Sequence, residues 1–234
     1  MASFYINFSD NSKEVIVSGE EHHHIINVFR HKKGDVLPIL NGLGSFAKGM
    51  ITEIDKKQLK LELSDIIHNE KPVKRVACAF SLLKNKNDLL IVEKLTELGV
   101  ADIFPIVTKN SVKIGKENTV EKYIKTAISA IKQCDNPYLP IIHNICDLET
   151  LLKKLNDNFY TPIVASEMRP NFTLTNYIKN NSNDKICIII GPEGGWDNFE
   201  FKLFEAKQIQ QVRLVGNILR AETAAICAVS LLIT

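Results

Sequence analysis

Long apolar runs are missing from this sequence, since no segment reaches the roughly 18–20 apolar residues that a membrane-spanning helix needs. The amino terminus has no basic start followed by an apolar stretch, so no secretory signal is expected. Cysteine is sparse and unpatterned. Cys78, Cys134, Cys146, Cys187 and Cys227 are odd in number and never spaced C-x-x-C, which argues against a disulfide framework and a structural zinc site. Cys78, Cys187 and Cys227 sit in apolar runs and read as small buried hydrophobes. An excess of one charge is also lacking. The formal net charge of +2 neither requires nor excludes a nucleic-acid partner, because binding depends on where lysine and arginine gather. No internal repeat and no low-complexity segment is found. A folded protein of a reducing cytoplasm is the expectation.

What is present fits that expectation. With 234 residues, 45% of them hydrophobic and 24% charged, the chain can bury a substantial core as one large domain or two unequal ones. Local basic groups occur at Arg30, Lys32 and Lys33, at Lys71, Lys74 and Arg75, and at Lys109, Lys113 and Lys116. A solvated surface explains each of them about as well as a phosphate contact.

The first seventy residues read as short strands with turns. Residues 4–8 and 14–17 alternate, and residues 35–40 lead into the turn dipeptide Asn41-Gly42. Residues 45–54 and 58–63 continue the pattern, the latter alternating strictly so that one face is wet. One helix interrupts them, starting at Ser18-Gly19-Glu20-Glu21 and running to about Arg30. A small β-barrel over residues 1–70 is expected.

Beyond Lys71-Pro72 the rhythm changes. Residues 76–83 form a near-continuous apolar strand, and residues 88–98 repeat apolar positions at helical spacing until Gly99 caps them. Strands and helices then alternate at residues 103–107, 121–133, 139–142, 148–155, 162–166, 185–190, 198–207, 212–215 and 223–233, with a surface turn at 180–184. This predicts an α/β domain with a mostly parallel sheet over residues 73–234.

Two strand exits carry chemistry. The buried strand 186–190 runs into Gly191-Pro192-Glu193-Gly194-Gly195-Trp196, and ligands of open α/β sheets bind beyond the carboxyl ends of strands. This turn is neither a Walker loop nor a G-x-G-x-x-G fingerprint. By itself it is as consistent with a tight turn before a helix. The strand 212–215 exits at Gly216 into a loop ahead of a very apolar helix, placing Arg220, Glu222 and Thr223 at its start. Glu222 or Thr223 is explained by capping. Arg220 is not, because a cation at a helix amino terminus needs an anion nearby, which Glu222, Glu193 or an RNA phosphate could supply.

The pair Gly191-Pro192-Glu193-Gly194-Gly195 and Ile218-Leu219-Arg220-Ala221-Glu222-Thr223-Ala224 resembles the last two motifs of the trefoil-knotted SPOUT RNA methyltransferases, and of the RsmE family in particular. The likeness extends to His22-His23-His24 with Val28, Phe29, Arg30, Gly34 and Asp35, to Lys94, Glu97, Leu98, Gly99 and Val100, and to Gln133 and Pro140. The chain departs from the family at Thr108-Lys109-Asn110-Ser111, where Ser-Glu-Arg is usual. It departs again at Asp135-Asn136 and Asn217, where arginines are common.

The resemblance implies a PUA-like β-barrel followed by a SPOUT α/β domain with a carboxy-terminal trefoil knot, working as a homodimer. It implies S-adenosylmethionine-dependent methylation of N3 of a uridine in small-subunit (16S) ribosomal RNA. Gly191, Pro192, Glu193, Gly194, Gly195, Leu214, Val215, Gly216, Ile218, Leu219, Glu222 and Thr223 would bind the cofactor. Arg220 and Glu193 would be catalytic, and Arg30, Lys32 and Lys33 would bind RNA. No metal is expected, since adjacent histidines on a helix do not share a face. Glu97 reads as a helix-end hydrogen-bonding residue, and Trp196 as a core or interface residue or a base-stacking ring. A ribose 2′-hydroxyl methyltransferase and a non-catalytic ribosome-assembly factor are the competing readings.

Overall fold

The computed structural model describes residues 3–84, 87–111, 115–168, 170 and 172–234; Lys113 lies outside them. Two compact units emerge. One comprises Met1–Lys71 together with Ile128–Leu139, the other Pro72–Ala127 together with Pro140–Thr234.

In the first unit, strands β1 (Phe4–Tyr5), β2 (Glu14–Ser18), β3 (Val36–Leu40), β4 (Ser45–Ile54) and β5 (Gln58–His68) form a sheet ordered β1-β3-β4-β5-β2. Only the β1–β3 pairing is parallel. Alternation works as the pattern demands. Leu59 and Leu61 are buried beside Leu37, Ile39 and Ile51, while Gln58 and Glu62 face water. Helix α1 (Gly19–His23) continues as a π-helical turn, His24–Val28, rather than as the regular helix expected up to Arg30. The Phe29 amide donates five residues back to His24 O, and Arg30 at φ 60° ends the coil.

The return of Ile128–Leu139 to this unit has no counterpart in the periodicity. Ser3 N–H donates to Lys132 O (2.9 Å), Leu139 N–H to Gly42 O (2.9 Å) and Gly44 N–H to Pro137 O (2.9 Å). Lys132 Nζ pairs with Glu21 at 2.6 Å, and the Tyr138 hydroxyl donates to the Asn69 carbonyl.

The second unit alternates strands and helices: β6 (Arg75–Ser81), α2 (Asn87–Glu97), β7 (Asp102–Val107), α3 (Thr119–Cys134), β8 (Ile141–Ile142), β9 (Cys146–Asp147), α4 (Leu148–Asp157), β10 (Thr161–Ala165), β11 (Phe172–Thr173), α5 (Leu174–Asn180), β12 (Lys185–Ile190), α6 (Asn198–Ala206), β13 (Gln210–Arg213) and α7 (Ala221–Ile233). Helix α3 is shared, its residues 128–134 clustering with the first unit. The sheet is parallel throughout, in the order β11-β13-β10-β12-β6-β7-β8, with β9 also on β7. Near-continuous apolar runs put β6 and β12 at its centre. Leu151, Leu155, Phe201 and Phe204 join Phe104 and Ile189 in one core, whereas α7 packs with α2, β6 and β12. Gly99, at φ 82°, ends α2 as a left-handed cap.

Several boundaries differ from expectation. β13 stops at Arg213 rather than Val215, because its last ladder partners are Ala165 and Thr173. α7 begins at Ala221, two residues early, with Arg220 as its cap. The β8 strand is only two residues, while β9, β11 and α5 were not anticipated. All five cysteines are free thiols; Cys78 and Cys187 are fully buried but Cys227 only partly.

At the amino end of β7 lies a buried polar knot of groups. Asp102 accepts hydrogen bonds from the Tyr160 hydroxyl (2.5 Å) and Arg75 (3.1 Å), and its other oxygen meets His143 Nε2 at 2.8 Å. His143 stacks on Phe104 with 3.9 Å between ring centres. Arg75, one of the basic residues noted in the sequence, is therefore engaged inside the fold.

Candidate active site

The chain leaves β12 at Ile190 and turns at once. Pro192 O accepts the Gly195 amide at 2.9 Å, and Gly195 sits at φ 72°. Gly191 is required by Trp196: a Cβ there would lie 2.9 Å from the indole ring. The indole donates from Nε1 to Ala165 O (3.0 Å), the last residue of β10, and meets Phe204 edge-on at 5.0 Å. Trp196 is thus half-buried against the core, and it also lines the cleft beyond the strand ends.

Asn110 and Glu200 hold this loop from the side. Asn110 Nδ2 donates to Gly195 O at 3.0 Å and to Gly194 O at 3.4 Å. Asp197 caps α6 in a capping box with Glu200, whose second oxygen accepts the Lys109 amide at 2.9 Å. Residues 108–111, where the chain departs from the family wording, therefore support the glycine loop.

The loop between β13 and α7 faces the glycine turn. Arg220 is the N-cap of α7 without a side-chain capping bond. Its guanidinium is exposed, and among the described residues no hydrogen bond or ion pair engages it, from Glu193, Glu222 or elsewhere. Glu222 instead accepts from Asn87 Nδ2 at 3.3 Å, at the start of α2. Glu193 is exposed.

These pieces enclose a cleft of ≈ 550 Å³ beyond the carboxyl ends of β10, β12 and β13. Its wall includes Gly191, Pro192, Glu193, Gly195, Leu214, Val215, Ile218, Leu219, Arg220 and Glu222. Gly194 and Gly216 belong to the same loops and Thr223 to the first turn of α7, but none is part of the wall, Gly194 being turned toward Asn110. Asn87, Ala165, Ser166, Glu167 and Arg213 line the cleft and were missed. The strand-end rule applied to residues 162–166 would have found three of them.

The cleft suits S-adenosylmethionine. Its size falls among small-molecule sites of about 300–1,000 Å³. Apolar Pro192, Leu214 and Leu219 share the wall with open loop backbone, and Glu167, Glu193 and Glu222 stand with Arg213 and Arg220, a mixed lining that suits a ligand carrying both cationic groups and a carboxylate.

Other singled-out residues lie elsewhere. His22 is buried with a ring nitrogen 3.2 Å from Asp55 O, and His23 meets Asn27 at 2.9 Å. Among the described residues no three His, Cys, Asp or Glu side chains gather as a metal set. Glu97 pairs with Lys94 at 2.8 Å. Arg30, Lys32 and Lys33 are exposed on the first unit. Among the described residues no helix is long and apolar enough to cross a membrane.

A parallel α/β sheet with two glycine-bearing exits, in one chain with a small β unit, defines an RNA methyltransferase: residues 69–233 match the family described as the RNA methyltransferase domain, and residues 17–64 the RNA methyltransferase PUA domain. Ribosomal RNA small subunit methyltransferase E of Rickettsia conorii is 31% identical, covering 97% of this chain and 92% of that one. Ribosomal RNA small subunit methyltransferase E 2 of Borreliella burgdorferi is 31% identical over 91% and 87%. The chain belongs to this family, the RsmE family that its motifs resemble. A probable rRNA-methyltransferase from Porphyromonas gingivalis superposes with a TM-score of 0.82 at 25% identity, covering 98% and 95% of the two chains. The methyltransferase E of Neisseria gonorrhoeae bound to S-adenosyl methionine shares the fold, with a TM-score of 0.85 at 23% identity and 98% and 95% coverage.

Proposed function

We propose that this protein methylates N3 of a specific uridine in 16S ribosomal RNA, using S-adenosylmethionine. The observation that carries the reading is the unpartnered Arg220 guanidinium in the wall of the strand-end cleft. When bound, S-adenosylmethionine supplies an electrophilic methyl group on its sulfonium. The loops at 191–195 and 214–219 hold the adenosine through backbone and apolar contacts. Gly216 shapes its loop and Thr223 the first turn of α7 from outside the wall. Arg220 takes the negative charge that develops on the uracil carbonyl oxygens as N3 loses its proton. Glu193, exposed at the cleft, receives that proton. Positioning by the two loops supplies much of the rate.

The same reading divides the labour. Residues 1–70 dock the RNA through Arg30, Lys32 and Lys33, and residues 73–234 carry out transfer in the cytoplasm. It includes a carboxy-terminal trefoil knot, supported by α7 lying on the central strands β6 and β12. It also includes a homodimer, supported by exposed Ile218 and Phe199 in the segments after β13 and β12.

Mass spectrometry of ribosomal RNA nucleosides tests it. A strain lacking the gene should lose one 3-methyluridine from 16S RNA and regain it with the intact gene but not with Arg220→Ala. Loss of a 2′-O-methyl nucleoside, or of no nucleoside at all, would overturn the assignment.

A further inference from the structure

The first unit exposes an aromatic ring among its cations. Phe29 is 55% exposed, leaving much of the phenyl ring open to solvent. It stands next to Arg30, whose left-handed backbone (φ 60°) folds the chain so that Phe29 and His31 lie face to face, at 6.2 Å and 20° between ring planes. Buried Phe4 supports both rings edge-on, at 5.4 and 6.0 Å.

The turn beneath is tied down on every side. Asp35 accepts from the Lys32 amide (2.9 Å) and meets His31 Nδ1 at 3.0 Å; the His31 amide reaches Ile25 O and the Gly34 amide Ile51 O. The same turn carries exposed Arg30, Lys32 and Lys33, and Arg30 and Lys33 make no salt bridge among the described residues. An exposed aromatic held in a basic turn suits an unpaired base and its flanking phosphates, since every base has a stackable face.

We propose that Phe29, backed by His31, is a stacking platform for an unpaired base of the RNA substrate, with Arg30, Lys32 and Lys33 on the neighbouring phosphates. This rests on the RNA-methylation reading and adds to it a contact with a base rather than with backbone. Arg30 and Lys33, exposed and without a salt bridge among the described residues, favour a polyanion over a protein partner.

Binding of the full-length protein to a fluorescein-labelled single-stranded RNA, and to the same strand made abasic, tests the platform. Phe29→Ala should weaken binding to the normal strand by roughly five- to a hundred-fold and leave the abasic strand unaffected. The salt slope should stay the same, whereas Lys32→Ala with Lys33→Ala should lower it. Phe29→Trp should retain affinity and show quenched indole emission on RNA binding, a readout that does not depend on the alanine variant folding. Equal loss on both strands, no loss on either, or a change of oligomeric state in Phe29→Ala would overturn the platform. If wild-type protein bound and methylated RNA while Phe29 proved neutral, only this proposal would fall. If wild-type bound neither strand, the platform would fall, whereas the methylation reading stands or falls on the 3-methyluridine of 16S RNA.

Discussion

Arg220 is a cation standing where the field of its own helix repels it, and none of its acidic neighbours offsets that cost. Arg220→Ala should therefore leave the fold intact and cofactor affinity unchanged, while turnover falls roughly 10²–10³-fold. Calorimetry with S-adenosylmethionine beside single-turnover kinetics reads the two effects apart. Gly191→Ala should act in the opposite manner. The added methyl meets the indole of Trp196 at 2.9 Å, so the loop must shift and cofactor affinity should fall first; denaturation should show a loss of about 1–3 kcal/mol. Both residues were legible in the sequence because glycine before a charged turn is an unusual demand. Asn87, Glu167 and Asn110 were not, since a polar residue at a helix start or in a loop has many uses and only the third dimension selects one.

Elements were legible where their periodicity was strong. β12, α2 and α4 sit where apolar spacing puts them, because each buries a full face. α5 escaped notice because it is seven residues long and only Leu174 and Tyr177 turn fully inward. The ends of β13 depend on which neighbours pair with it, a non-local matter that its own residues do not record. Helix α6 carries the clearest local device, the Asp197–Glu200 capping box. Asp197→Ala should destabilise the protein by about 1 kcal/mol in urea titration. Glu200→Ala should do more, because Glu200 also receives the Lys109 amide that steadies the loop beside the glycine turn.

Acid stability belongs to the whole molecule. Burial alone would push the Asp102 carboxyl up, yet bonds from His143 and Tyr160 and the nearby charges of His143 and Arg75 hold it below the ordinary value of 3.8. A carboxyl depressed in the fold contributes stability above that ordinary value and loses it as the pH falls through the lower folded-state value. Urea midpoints of wild type and Asp102→Asn should thus differ most near neutrality and converge below pH 3.8. A gap that widened on acidification would contradict the assignment.

The discontinuity of the amino-terminal unit has a consequence in time. Ser3, Gly42, Gly44 and Asn69 wait for partners at Lys132, Pro137, Tyr138 and Leu139. A nascent chain emerging amino end first cannot complete this small unit when its own strands are made; β6 and β7, two of the eight strands of the larger unit's sheet, must be synthesised before closure. Ribosome-stalled chains ending some forty residues (~40, the reach of the exit tunnel at ~3.3 Å per residue) beyond Asn69 should stay protease-sensitive at their amino ends. Chains stalled the same distance beyond Leu139 should resist.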